Sequence, residues 1–189
     1  MSTYLYAISL GIALSACCGF RVFLPLLAAS LAAYFKWIPL NEGMDWMGTL
    51  PAIISFGTAA LLEIGGYYIS FVDNLLDTIA TPLAVVAGTV VAASFLPIGE
   101  LDPLLRWGLG IIAGGGAAGT IQLGTGLLRL FSTKATAGTA NPVLATGENL
   151  AAITGSIASI LIPIITAILL MLLVFYILYK LLGKGLRSK

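Results

Sequence analysis

Five long stretches of this chain are apolar and nearly free of charge. They run from about Leu5 to Phe35, Leu50 to Val72, Ile79 to Leu96, Leu104 to Phe131 and Asn149 to Leu182. About 20 such residues suffice to cross the hydrocarbon core of a bilayer as a helix. The stretches are continuous rather than alternating, so the predicted fold is an all-α, polytopic transmembrane helix bundle. Composition agrees: the chain is 59% hydrophobic and 9% charged, whereas a soluble domain carries about 25% charged residues. At 189 residues it reads as one membrane domain, residues 1–189, with no room for a second soluble one.

Three of the stretches are longer than one crossing needs, and each contains helix breakers. The first has Ser15-Ala16-Cys17-Cys18-Gly19 and then Pro25; the fourth has Gly114 to Gly119; the last has Thr154-Gly155-Ser156 and then Pro163. The expectation is five to six spans, five being favoured, with tilted, broken or re-entrant segments. Gly11-Ile12 leading to Gly19 is similar to Gly110-Ile111 leading to Gly119. That offset suggests two halves, 1–100 and 101–182, as in transporters built from inverted repeats. Small residues that let helices pack closely explain the same pattern.

The first stretch is too long for a signal-peptide core and follows no basic residue, so it reads as a membrane helix. A net charge of +1 argues against a nucleic-acid partner. There is no histidine, which weakens a zinc or haem reading, and no cofactor is expected. Cys17 and Cys18 lack metal or redox spacing and read as packing residues. The basic end, Lys180 to Lys189, predicts a cytoplasmic C-terminus. It does not orient the N-terminus, because five spans and six spans give equal counts of basic residues inside. Trp37 and Trp46 suit an interfacial connector.

The charges within the apolar stretches are the functional candidates, because an ionisable group at membrane depth is costly and is usually retained for use. Glu63 sits near the middle of the second stretch. Arg21 follows the break in the first, and Glu63 is its obvious partner, with Asp73, Asp77 or Glu148 as others. Tyr67 lies one turn after Glu63, where its hydroxyl could share the polar stripe. Asp73, Asn74 and Asp77 are placed at the end of the second span, with Pro82 opening the third. They offer hard oxygen ligands suited to cations, or a solvated capping turn. Asn141-Pro142, Glu148 and Asn149 form either a helix start or a polar loop dipping towards the centre. Gln122 could line the same path or bond between helices. No Ser/His/Asp set, metal-ligand cluster or phosphate loop is present, so an enzyme is not expected.

Gly19-Phe20-Arg21-Val22-Phe23-Leu24-Pro25, Glu63, Val72-Asp73-Asn74-Leu75-Leu76-Asp77 with Thr81-Pro82, and Thr136 to Pro142 together resemble the domain-of-unknown-function family 4126. The resemblance implies a small protein of the bacterial inner (plasma) membrane. It singles out Arg21, Glu63, Asp73, Asp77, Asn141 and Glu148 and implies no activity. Two functions remain open from the residues. One is a small transporter or channel for an ion or small solute, with a cation or cation-coupled solute favoured because acids outnumber Arg21. The other is a non-transporting scaffold, partner subunit or lipid-binding bundle whose polar pairs are staples. A homodimer suits either.

Overall fold

A computed structural model describes residues 2–96 and 103–187, and these are helical with no strand. The helices are α1 (Ser2–Cys17), α2 (Phe23–Tyr34), α3 (Leu50–Gly66), α4 (Ser70–Phe95), α5 (Pro103–Leu109), α6 (Gly116–Thr136), α7 (Asn141–Leu161) and α8 (Pro163–Arg187). A π-helical stretch, Gly110–Gly115, joins α5 to α6 without a break. Four helical segments are long and apolar enough to span a bilayer: Leu75–Phe95, Leu104–Thr136, Asn141–Leu161 and Pro163–Gly183. Three apolar helices are shorter. The expected five full spans are therefore four long segments plus α1, α2 and α3.

The first stretch breaks as its small residues suggest, and α1 turns into α2 through residues 18–22. The fourth does not break. Its glycines serve close packing instead: a Cβ on Gly88 of α4 would lie 2.6 Å from the carbonyl oxygen of Gly114. The last stretch divides at Pro163, where α7 ends and α8 begins. A further correction concerns Asp73 and Asp77. They occupy the first three turns of α4 rather than the end of the preceding span, and Pro82 lies inside α4.

Contacts between named residues fix the helix directions. Gly11 faces Ala92 and Phe95, and the Ser15 hydroxyl donates to the Gly88 carbonyl at 2.8 Å, so α1 runs antiparallel to α4. Gly110 faces Thr89 and Ala93 while Gly119 faces Val85, so α5–α6 is antiparallel to α4 and parallel to α1. The two similar glycine runs thus lie on helices of the same direction, which an inverted repeat does not give. Tyr6 at the start of α1 donates to Ile160 near the end of α7 at 3.0 Å. Arg21, just past the other end of α1, donates to Ala145 near the start of α7. Gly124 and Ile177 pack together, as do Ile121 and Val174, so α8 is parallel to α6. The α1–α2 turn is therefore level with residues 145–149 of α7, four to eight residues into that helix. That is about 6–12 Å below its start.

The apolar core lies along α1, α2 and α4, with Leu10, Leu14, Val22, Leu26, Val91 and Phe95 buried together. Cys17 and Cys18 are free and buried. Trp37 and Trp46 are exposed.

Candidate functional site

Five elements converge at the α1–α2 turn: that turn, the end of α3, the start of α4, the second half of α6 and the start of α7. Each brings a polar side chain, and the result is a buried charge cluster. Arg129 of α6 is its centre. Its Nε donates to Glu148 Oε1 at 3.1 Å, its Nη2 donates to Glu148 Oε2, and its Nη1 donates to Asp73 Oδ1. Asp77 lies 3.8 Å from the same Nη1. The planar guanidinium fork suits this carboxylate pairing, which a lysine cannot reproduce.

Arg21 is the second cation. Its Nη1 lies 2.8 Å from Glu148 Oε2. Its Nε donates to Asn149 Oδ1 at 2.5 Å, and an Nη2 proton goes to the Ala145 carbonyl at 3.1 Å. Glu148 thus bridges both arginines. Tyr67 contributes its ring rather than its hydroxyl: the guanidinium carbons of Arg21 and Arg129 lie 3.8 Å and 4.2 Å from the ring centroid. Such stacking on a desolvated ring is favourable by about 2 kcal/mol. Asn141 donates to Asp73 Oδ2 at 3.3 Å and to the Thr133 hydroxyl at 3.1 Å. Asn149 also donates to the Tyr68 hydroxyl at 3.4 Å.

Glu63 has a different role from the expected one. It accepts the backbone N–H of Val22 on Oε1 at 2.8 Å and that of Phe23 on Oε2 at 3.0 Å. These N–H groups begin α2 and would otherwise lack partners in an apolar interior. Glu63 therefore caps α2 from a different helix, and the ion pair of Arg21 goes to Glu148. The carboxylate also sits at the positive end of the helix dipole.

Glu148 and Asn149 lie in the third turn of α7, and Asn141 opens that helix with Pro142 behind it. The polar segment is thus a helix start and not a loop dipping inward. Gln122 is buried on α6 but lies outside the lining of both cavities beside Tyr67. The side chain of Asn74 is outside the described residues. Sequence reasoning did not single out Arg129. Its signal was the one that exposed Glu63: a lone charge in an apolar run, Leu127-Leu128-Arg129-Leu130-Phe131.

Two cavities meet at Tyr67. One, of about 290 Å³, is lined by Tyr67, Tyr68, Asp73, Thr133, Thr139 and Asn141 among others and sits under the α6–α7 connection. The other, of about 600 Å³, is an apolar groove between α2, α3 and α4 whose wall includes Glu63 and Tyr67. No group of three or more Cys, Asp or Glu is arranged to hold a metal ion among the described residues.

The family model described as Domain of unknown function (DUF4126) matches residues 8–182. The chain belongs to that family. No curated protein and no solved structure shows significant similarity to it. The DUF4126 match takes in every helix that contributes to the cluster, from α1 to α7.

Proposed function

We propose that this protein is a small membrane transporter or channel for an ion or small solute, with the Arg129 cluster as its site. One observation carries the reading. Three carboxylates, Asp73, Asp77 and Glu148, face two guanidiniums, Arg21 and Arg129, and a fourth, Glu63, lies beside them as the cap of α2. Buried opposite charges balance at best, and an uncompensated excess of carboxylate in an apolar interior calls for a proton or cation. This favours a cation or a cation-coupled solute. The polar cavity bounded by Asp73 and Asn141 is the route by which water and solute would reach the acids.

The distribution of basic residues supports one membrane orientation. Lys134 lies in the last turn of α6, and Lys180, Lys184 and Arg187 lie towards the end of the parallel helix α8. Lys36 and Arg106 lie at the opposite end, where α2 stops and α5 starts. The excess supports a cytoplasmic C-terminus in a bacterial inner membrane, with the polar cavity on the cytoplasmic side. Lipid is the surrounding partner, and a homodimer is compatible with the wide exposed faces of α8.

The second reading, a scaffold held by polar staples, is favoured by Glu63, whose two oxygens both serve the α2 backbone. Flux in proteoliposomes separates the two. Monovalent cations and protons are imposed as gradients, with wild type beside Arg21→Ala, Glu63→Gln and Asp77→Asn. Wild-type flux that the variants reduce supports transport. Absence of flux, with variants that only lower thermal stability, supports the scaffold.

A further inference from the structure

Tyr67 lines both cavities at once. It follows the last turn of α3, so it sits where the lipid-side groove ends and the polar cavity begins. The groove is walled by Val22, Phe23, Leu76 and Leu83, and its rim carries Leu61, Leu62, Ile69 and Ile79, all exposed. In a bilayer that rim faces hydrocarbon. Behind the Tyr67 ring stand Asp73 and Asn141, and Glu63 shares the groove's own wall. An apolar chamber therefore abuts a polar one, with carboxylates on both sides of one aromatic side chain.

We infer that these two cavities form one site for a lipophilic organic cation that enters laterally from the bilayer. The apolar body occupies the groove between α3 and α4, and the positive centre approaches the acids at Tyr67. The groove alone has the volume typical of small-molecule sites. Its walls offer an apolar body no hydrogen-bonding demand. The groove's own wall carries the carboxylate of Glu63 and, among the described residues, no basic side chain, which selects the sign of charge. The Tyr67 ring already stacks on Arg21 and Arg129, so the positive centre stops on the groove side of the ring, beside Glu63. This rests on the reading of the cluster as a solute site and adds the substrate class to it.

Tetraphenylphosphonium and tetraphenylborate share a shape and carry opposite charges, so they test sign and groove together. Equilibrium binding of each would be measured on the full-length protein in detergent, for wild type, Ile79→Trp and Glu63→Gln. Ile79 is exposed on the groove rim, so a tryptophan there narrows the groove without entering the core. The expected result is saturable binding of tetraphenylphosphonium alone, weakened about tenfold or more by each variant, a loss of about 1.4 kcal/mol. Equal binding of the two ions overturns the proposal, as does binding of the cation that neither variant weakens. Absence of saturable cation binding to wild type also overturns it. Should the proteoliposomes still pass small cations in that case, the transport reading stands and only the lateral site falls.

Discussion

Arg129 and Glu148 form a two-pronged pair within the bundle, Nε to Oε1 at 3.1 Å and Nη2 to Oε2. The pair joins α6 to α7, and Glu148 passes the connection on to Arg21 through its Oε2. Three parts of the chain are locked by one carboxylate.

Removing the centre of this arrangement strands its partners. Arg129→Ala leaves Asp73 and Glu148 without their main cation in a buried setting, a loss of about 3–5 kcal/mol. Arg129→Lys keeps the charge and loses the fork, so it should recover only part of that stability. Thermal unfolding in detergent checks both. A lysine variant as stable as wild type would contradict the role of the fork.

Coupling between Arg21 and Glu148 is open to a double-mutant cycle. The two groups are in contact at 2.8 Å, so Arg21→Gln and Glu148→Gln should be non-additive by about 0.5–3 kcal/mol. Asp77 serves as the comparison. It is 29% exposed and its ion-pair contact is with Arg129 at 3.8 Å, so its cycle with Arg21→Gln should show a smaller coupling.

For Glu63 the cap geometry predicts a graded series. Glu63→Gln retains one acceptor oxygen and leaves one N–H of the pair Val22 and Phe23 unsatisfied. It should cost about 1 kcal/mol, and Glu63→Ala about 2 kcal/mol, the range of lost helix caps. Amide hydrogen exchange at Val22 and Phe23 should rise in the same order. Unchanged exchange in Glu63→Ala would remove the cap assignment.

The glycine contact between α4 and the π-helical stretch is the fourth test. A Cβ on Gly88 would sit 2.6 Å from a backbone oxygen that cannot rotate away. Gly88→Ala should therefore destabilise by about 1–3 kcal/mol through overpacking. Gly126 has open space around it, so Gly126→Ala should not destabilise, since alanine favours the helix. Melting temperatures of the two variants should move apart.

Much of this was legible in the sequence, and for identifiable reasons. Apolar length alone specified helices, and the Cys18–Val22 break and the Pro163 division were marked by small residues and proline. The polar residues in and beside the apolar stretches pointed to Arg21, Asp73, Asn141, Glu148 and Asn149, which the fold does bring together. What could not be read was pairing. Glu63 lies closer in sequence to Arg21 than Glu148 does, yet Glu148 is the partner, because α7 rather than α3 presents its carboxylate to the guanidinium. Glycine runs are ambiguous for the same reason: Gly114 to Gly119 would break an isolated helix, but α4 packed against them keeps the helix continuous. Asp73 was misplaced because α4 begins at Ser70, ahead of its own apolar stretch.

The cluster also has a history within each molecule. Arg21 finds Asn149 and Ala145 at separations of 128 and 124 residues. During synthesis the amino-terminal hairpin is complete long before those partners exist. Until α7 arrives, its arginine must stay at an interface or in contact with water rather than at its final depth. The first helices made are therefore among the last to be seated, and a chain interrupted before Asn141 would present the membrane with Arg21 while its ion-pair partner Glu148 had never been translated.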